Sequence, residues 1–300
     1  MEPNKLQRVL DALLPHSVTL QRSDPVSGGC ISEASRVTVQ DSNGNKRHYF
    51  VKRNHCDFLN NFQCERNGLA AIQASGSIKV PKPIGLGLHD TQAWLILEWV
   101  EPGVKCKNFF AQFGQRLANL HRCTKSMETG WEEDNYLGAT RQQNAPMQYW
   151  SEFFAQRRIE AQLKLGVENQ RFPSRLITEI RQIVERMDRI LAGSESETSL
   201  LHGDLWSGNY LADAEGNPVL VDPAIYRGNR EAEFGMLKLF GGCPASFYDA
   251  YHQTYPLAAG WERRNHVYVF YHLLNHLNLF GAGYLEDCQR MAARILSESS

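Results

Sequence analysis

The hydrophobic pattern of the first hundred residues predicts one short helix followed by a small, strand-rich unit. Residues 5–14 place leucines and a valine on one side of an amphipathic helix. Turns rich in glycine, serine and asparagine at 27–30 and 41–45 bound two predicted strands, 35–40 and 48–53. These segments indicate a hairpin that follows a glycine loop.

A helix and a strand complete this unit before a mainly helical pattern begins at Lys107. Asp57 is predicted to cap a helix that runs to about Ala74, where Gly76 ends it, and a strand follows at 92–100. The helices predicted beyond this point cover 107–123, 147–165, 173–192, 230–240, 246–254, 263–280 and 286–297.

A second hairpin region, 200–222, interrupts the helices and has its turn at 215–217. Apolar residues make up 42% of the chain, enough for a large core. The pattern therefore predicts an α+β protein with a small β-rich N-terminal lobe, residues 1–100, and a larger α-helical C-terminal lobe, residues 101–300.

Charge and composition narrow the class of protein. The 32 Lys and Arg residues nearly balance the 33 Asp and Glu residues, which excludes a strongly basic nucleic-acid binder. Seven cysteines without a Cys-x-x-Cys pair favour reduced thiols over a zinc site or a disulfide framework. The first residues lack the basic and apolar regions of a secretory signal, so we expect a cytoplasmic protein.

One stretch without charged residues, 265–285, has the length of a membrane span. It contains six Asn and His residues, whose polar groups would need partners in hydrocarbon, so we interpret it as a core helix. His272 and His276 stand four positions apart, a spacing that also suits a metal, but we interpret them as hydrogen-bonded core residues. We therefore expect neither a nucleic-acid nor a membrane partner.

The strongest chemical signal is the segment HGDLWSGN at 202–209, which a hairpin and Asp222 follow. Protein kinases place a base Asp and a metal-binding Asn five positions apart on the catalytic loop, and Asp204 and Asn209 have that interval. A second magnesium-binding Asp belongs after the next hairpin, where Asp222 lies. Singly, these residues also suit ordinary turns, but as a set they favour phosphoryl transfer from ATP with Mg²⁺. His202 is expected to order the loop through hydrogen bonds.

A buried ion pair is predicted in the N-terminal lobe. Glu65 falls within the apolar stripe of the helix after Asp57, so its carboxylate faces inward. Leaving a buried charge unpaired costs about 3–5 kcal/mol, so a cation should meet it, and Lys52 on the preceding strand is the candidate. Kinases hold the α- and β-phosphates of ATP with such a pair. The alternative is a structural salt bridge at the surface.

Two further segments are candidates for nucleotide contacts. Gly28 and Gly29 precede the lysine strand and are predicted to cover the phosphates, although paired glycines also mark plain turns. Glu98, Trp99 and Val100 leave a strand at the lobe boundary, where an extended backbone could offer a carbonyl and an amide to adenine. A simple linker is the alternative for this segment.

Trp206 and Cys30 each carry a hypothesis with a simpler alternative. The Trp206 indole could lie under the C–H face of a sugar, or it could anchor the loop as a core tryptophan. Cys30, in the glycine loop, could form a disulfide that turns activity off, or it could be a small packing residue.

Nearly the whole chain closely resembles the fructosamine kinase family, also called ketosamine-3-kinases. The segments that carry the resemblance include GGCISEA (28–34), VPKPIG (80–85), LILEW (95–99), WSEFFAQRRIEAQL (150–163), LLHGDLWSGN (200–209), DPAIYRGNRE (222–231) and LKLFGG (237–242). HGDLWSGN is specific to this family, whereas His-Gly-Asp with an Asn five positions beyond the Asp is shared by the wider aminoglycoside-kinase-like group. One departure is Glu233, where we expect the family more often to have Asp.

The resemblance implies a protein-kinase-like bilobal fold, with ATP and Mg²⁺ as donor and cofactor. The implied acceptor is the 3-hydroxyl of a ketosamine, the sugar adduct that glycation leaves on an amine. Phosphorylation there makes the adduct labile, so the implied role is deglycation repair of a metabolite or a protein. The departure at Glu233 puts a metal or scaffold role for that position in doubt.

Two other functions stay open from the sequence. A kinase for an aminoglycoside or choline is one, although residues 241–300 carry five acidic residues against four arginines, a poor match for a polycationic acceptor. A nucleotide-binding pseudokinase scaffold is the other, but it should have lost one of Lys52, Asp204, Asn209 or Asp222, and all four are present. The preferred sugar and amine stay open, as does the choice between a monomer and a homodimer.

Overall fold

The chain forms two compact units in the computed structural model, which describes residues 3–26 and 31–299. The first unit comprises Met1–Lys107 and Leu211–Asp222, and the second comprises Asn108–Tyr210 and Pro223–Ser300. Gly28, Gly29 and Cys30 lie outside the described residues, so the phosphate and redox hypotheses made for them stay predictions.

The segment 211–222 joins the first unit, although the sequence places it with the C-terminal lobe. Its contacts with Lys79 account for this position. Lys79 forms a parallel bridge with Val219, its carbonyl accepts the Leu220 amide at 2.9 Å, and its Nζ lies 3.1 Å from Oδ2 of Asp213.

An antiparallel sheet forms the core of the first unit. Its strands are β1 (Val18–Pro25), β2 (Glu33–Asp41), β3 (Lys46–His55), β4 (Pro83–His89) and β5 (Gln92–Glu98), and their order in the sheet is β1-β2-β3-β5-β4. Helix α1 (Pro3–Leu13) buries its apolar stripe against this sheet, and helix α2 (Leu59–Ala74) follows β3. On the central strand, Lys52 pairs in register with Leu95.

The predicted elements of this unit are present, and two strands are additional. The sequence did not predict β1 and β4, which lie at the two edges of the sheet. The predicted cap at Asp57 is wrong, because Asp57 lies inside a 3₁₀ turn and α2 begins after Phe58. Gly76 does follow the end of α2, with a left-handed φ of 63°.

The second unit is mainly helical. Its helices are α3 (Phe109–Cys123), α4 (Trp150–Phe153), α5 (Ala161–Glu168), α6 (Ser174–Glu185), α7 (Met187–Ile190), α8 (Glu233–Leu239), α9 (Ala245–Thr254), α10 (Trp261–Phe280) and α11 (Leu285–Glu298). A π-helical segment, Phe154–Glu160, joins α4 to α5. The predicted helix over 147–165 is therefore one continuous helical stretch with a widened middle.

Short strand pairs frame the loops between these helices. They are β6 (Asn135–Leu137), β7 (Thr140–Gln142), β8 (Ser199–Leu201), β9 (Tyr210–Ala212), β10 (Pro218–Leu220) and β11 (Tyr226–Gly228). The predicted hairpin is β9–β10, which turns at Gly216. Strand β8 instead pairs antiparallel with β11, so the residues between β8 and β9 form a loop.

Helix α10 is a core helix, as its polar residues predict. Asn265 donates to the carbonyl of Glu231 at 3.1 Å, and Asn278 donates to Oε1 of Gln162 at 2.8 Å. His272 differs from the expectation, because its buried Nδ1 has no hydrogen-bond partner among the described residues. No helix in the described part of the chain has both the length and the apolar character that a membrane span requires.

Candidate active site

The loop between β8 and β9 brings Asp204 and Asn209 together. The Asn209 Nδ2 donates to the Asp204 carbonyl at 2.8 Å and to its Oδ2 at 3.1 Å. The Asp204 amide donates to Nδ1 of His202 at 3.3 Å, so the predicted ordering role of that histidine is confirmed. These bonds hold a carboxylate and an amide oxygen in one small volume, as the five-residue spacing predicts.

Gly203 permits the sharp turn that starts this loop. Its φ is 80°, a left-handed conformation that side chains with a Cβ rarely adopt. A Cβ added there would lie 2.1 Å from the Ala224 carbonyl oxygen. The Ala224 amide in turn donates to the His202 carbonyl at 2.8 Å, which fixes the two chain segments side by side.

The carboxylate of Glu233 binds the start of the loop that carries Asp204. Its Oε2 accepts the amide of His202 at 2.6 Å, and its Oε1 accepts the amide of Gly203 at 3.0 Å. The carboxylate is buried, and the His121 Nε2 lies 3.3 Å from its Oε2. Burial alone would raise the pKa of Glu233, but the bonds from His121 and His202 outweigh it and lower the pKa below its usual value. Glu233 thus has the scaffold role that the sequence left in doubt.

A buried polar chain extends from Glu233 to the surface of the second unit. Burial lowers the pKa of His121, so the ring is neutral, and its Nδ1 lies 2.8 Å from the Tyr251 hydroxyl. Arg230 donates to the same hydroxyl at 3.1 Å and pairs with Glu195 at 2.6 Å. The loop that carries Asp204 is therefore supported by a network in which these buried polar groups have partners.

The predicted ion pair of Lys52 and Glu65 is confirmed in the first unit. The Lys52 Nζ lies 2.8 Å from Oε1 of Glu65 and 2.5 Å from Oδ1 of Asp222. The lysine is buried, with 8% of its surface exposed, so the surface salt bridge considered from the sequence is wrong. Asp222 has a left-handed φ of 56°, a strained conformation for a residue other than glycine.

The electrostatics of this cluster keep Lys52 charged. Burial lowers the pKa of Lys52, but the carboxylates of Asp222 and Glu65 outweigh burial and raise it overall. Burial also raises the pKa of Glu65 above its usual value, and the Lys52 ammonium offsets only part of that rise. A lysine shared by two carboxylates is a fixed cation, suited to an anionic ligand.

The segment predicted to meet adenine begins at Glu98, the last residue of β5. The Glu98 amide donates to the Lys82 carbonyl at 2.8 Å, so it is already engaged. The Trp99 Nε1 donates to Oε2 of Glu101 at 2.8 Å, and the Arg36 guanidinium lies 4.8 Å from the Trp99 ring centre. Any adenine contact from an amide in this segment therefore has to come from Trp99 or Val100.

Trp206 is half-buried on the loop that carries Asp204. Its ring centre lies 5.3 Å from that of Phe240, and a Cβ added at Gly208 would lie 2.5 Å from the indole. A fully buried core position is therefore excluded. Phe240 was not predicted, because an aromatic residue at a helix end has no characteristic spacing in the sequence.

The fold and the loop define a protein-kinase-like α+β protein, in which a strand lysine pairs with a helix glutamate and His-Gly-Asp precedes an asparagine. A family model described as fructosamine kinase matches residues 3–298, and the chain belongs to that family. The resemblance noted from the sequence is therefore confirmed.

Individual relatives cover most of the chain. A Synechocystis protein named "Probable ketoamine kinase" is 38% identical over 278 residues, which span 92% of this chain and 91% of the relative. An Arabidopsis thaliana protein-ribulosamine 3-kinase, chloroplastic, is 38% identical over 261 residues, 86% of this chain and 78% of the relative. A fructosamine-3-kinase-type crystal structure from Thermobifida fusca is 28% identical with a TM-score of 0.84, and it covers 98% of this chain and 99% of that one.

Proposed function

We propose that this chain is an ATP-dependent kinase that phosphorylates the 3-hydroxyl of ketosamines, the ribulosamine or fructosamine adducts of amines and proteins. The observation that carries the proposal is the pairing of Asp204 with Asn209 on a loop anchored by Glu233, within a chain of the fructosamine kinase family. Relatives named for ketoamine and ribulosamine substrates support the acceptor class.

Asp204 is the proposed base. The acceptor hydroxyl attacks the γ-phosphorus of ATP, a new O–P bond forms as the bond to ADP breaks, and the hydroxyl proton passes to the Asp204 carboxylate. The bonds from His202 and Asn209 hold this residue in place, so catalysis is mainly positioning and charge neutralisation. Trp206, half-buried two residues further on, is proposed to stack on the sugar.

Asn209 and Asp222 are the proposed magnesium ligands, and each side chain fits that role. The Asn209 Nδ2 is engaged by Asp204, so its Oδ1 is the atom that remains to face a cation. Asp222 offers a carboxylate, of which Oδ1 lies beside Lys52. Oxygen donors of this kind suit Mg²⁺, which when bound would neutralise the phosphate charge.

The nucleotide contacts are proposed for the first unit. Lys52, held by Glu65, supplies the fixed cation for the α- and β-phosphates. Gly28 and Gly29 are proposed to cover the phosphates, and Glu98, Trp99 and Val100 to meet adenine. Because the Glu98 amide is engaged by the Lys82 carbonyl, an amide contact with adenine is proposed for Trp99 or Val100.

A substrate panel tests the proposed function. ATP consumption would be measured with ribulose-lysine, fructose-lysine, an aminoglycoside and choline, each with Mg²⁺ and with excess EDTA. We expect turnover on the ketosamines alone, abolished by EDTA, with phosphorus NMR placing the phosphate on the 3-hydroxyl. Turnover only on the aminoglycoside or choline would contradict the proposal that ketosamines are the acceptors. Nucleotide binding without turnover on any acceptor would favour a nucleotide-binding pseudokinase scaffold.

A further inference from the structure

A cluster of aromatic side chains in the second unit begins at Trp206, on the loop that carries Asp204, and continues into residues that have no role in the proposed chemistry. We name it the aromatic patch; its members are Trp206, Phe240, His276, Phe280 and Tyr284. Ring centres are 5.3 Å apart between Trp206 and Phe240, 5.3 Å between Phe240 and His276, and 5.4 Å between His276 and Phe280. Tyr284 closes the patch at 5.1 Å from His276.

The outer part of the aromatic patch is exposed although its residues are apolar. Phe280 is 61% exposed and Phe240 is 38% exposed, and both are among the large apolar side chains that face solvent. Trp206 follows Asp204 by two residues on the same loop, so the patch begins next to the proposed base. From Trp206 it extends through Phe240 to the exposed Phe280.

His276 adds one oriented polar atom to the aromatic patch. Its Nδ1 lies 2.8 Å from the carbonyl oxygen of His272, and a carbonyl only accepts, so Nδ1 carries the hydrogen. Burial lowers the pKa of His276, which keeps the ring neutral at physiological pH. Nε2 is therefore a hydrogen-bond acceptor.

The substrate of the proposed reaction carries a matching group. In a ketosamine the sugar C1 bears a secondary amine, which is protonated near neutral pH, and only C1 and C2 separate that nitrogen from C3. An acceptor whose 3-hydroxyl lies at Asp204 thus places its ammonium close to Trp206. A cation is attracted to aromatic faces, and an ammonium N–H needs an acceptor.

We propose that the aromatic patch binds the secondary ammonium of the ketosamine and the first carbons of its amine chain, with His276 Nε2 accepting an N–H of that ammonium. The position of the patch agrees with a cationic ligand. It lies at the C-terminal end of α10, where the helix dipole favours positive charge. This inference rests on the proposed function.

The test compares two acceptors that share one sugar. The first is fructose-lysine, and the second is its derivative acetylated on the linking nitrogen, which has neither the charge nor the N–H. The measured quantity is the ratio of kcat/KM for the first acceptor to that for the second. In Phe280→Ala we expect this ratio to fall about two- to thirty-fold, the range that a lost cation–π contact gives.

Three further variants separate the contribution of the Phe280 ring face from that of the His276 acceptor atom. Phe280→Leu keeps apolar bulk without a ring face, so it should lower the ratio as Phe280→Ala does. His276→Leu should also lower it, and His276→Gln, which keeps an acceptor, should restore part of it. Tyr149→Ala is the control, because Tyr149 is an exposed aromatic, 56% exposed, outside the aromatic patch.

The outcomes distinguish this inference from the proposed function. A ratio that stays at the wild-type value in Phe280→Ala and His276→Leu, while the wild type phosphorylates fructose-lysine, would overturn the ammonium site and leave the kinase intact. A ratio that falls equally in Tyr149→Ala would also overturn it. If the wild type phosphorylates neither acceptor, the proposed function fails, and the inference fails with it.

Discussion

The carboxylate of Glu233 accepts the backbone amide of His202 at 2.6 Å, and this bond fixes the start of the loop that carries Asp204. Both residues are buried, so the bond does not compete with water. Because a second bond reaches the Gly203 amide at 3.0 Å, the carboxylate clamps two consecutive peptide groups. The position of the proposed base therefore depends on a residue that never meets the substrate.

Replacing Glu233 with Gln should lower kcat more than it changes the KM for ATP. A glutamine side chain has one acceptor oxygen, whereas the carboxylate has two. The backbone amide of His202 or of Gly203 therefore loses its partner, at a cost of about 1–3 kcal/mol. Steady-state kinetics with both substrates measure the split. Ile295→Val, a conservative change in the hydrophobic core of the second unit, is the control for lost stability. If it lowers kcat as much as Glu233→Gln at equal thermal stability, Glu233 has no positioning role.

Replacing Lys52 with Met should weaken the use of ATP. The change removes the ammonium that pairs with Glu65 and Asp222 and that is proposed to hold the phosphates, so kcat/KM for ATP should fall about ten- to a hundred-fold. Lys79→Met is the matched control, since Lys79 also pairs with an aspartate in the first unit, Asp213, at 3.1 Å. Equal losses in the two variants would contradict the phosphate role.

Replacing Gly203 with Ala should destabilise the protein more than the same change at Gly76. Both glycines have left-handed φ angles, 80° and 63°, which cost an alanine about 1–2 kcal/mol. A Cβ at Gly203 would lie 2.1 Å from the Ala224 carbonyl oxygen, whereas a Cβ at Gly76 would have no atom within 4 Å. Urea unfolding of the two variants measures the difference. A similar loss of unfolding free energy in both would contradict the close contact.

The free energy of unfolding should decrease as the pH falls below about 6.5. Burial, with smaller contributions from His276 and Arg158, lowers the pKa of His272 from 6.5 to about 3. Between these values the unfolded chain binds the proton and the folded chain does not, so acid favours unfolding. His272→Gln should reduce the slope, while buried His121 preserves part of it. An unchanged slope in His272→Gln would contradict this origin.

The sequence predicted the ion pair of Lys52 and Glu65 because a carboxylate within an apolar stripe must find a cation. It did not predict the two edge strands, β1 and β4. Strand β4 contains Gly85 and Gly87, which are poor strand formers. A Cβ at Gly85 would lie 2.6 Å from the Leu13 carbonyl oxygen, so the glycines are there for the close approach of α1. That reason is tertiary and leaves no local pattern.

The loop around Asp204 shows the same limit. The spacing of Asp204 and Asn209 is visible in the sequence. Glu233, whose carboxylate accepts the His202 amide, lies far along the chain and has no periodic signal. The orientation of His276 also depends on a backbone carbonyl one helical turn away, which follows only once α10 has formed. Local chemistry was predictable, and the residues that support it were not.

The most direct measurement compares phosphate transfer to fructose-lysine by the wild type and by Asp204→Ala, with nucleotide binding measured separately by calorimetry. We expect Asp204→Ala to lose about a hundred- to ten-thousand-fold in kcat while it binds ATP nearly as well as the wild type. A variant that phosphorylates fructose-lysine at near-wild-type turnover would contradict the assignment of Asp204 as the base.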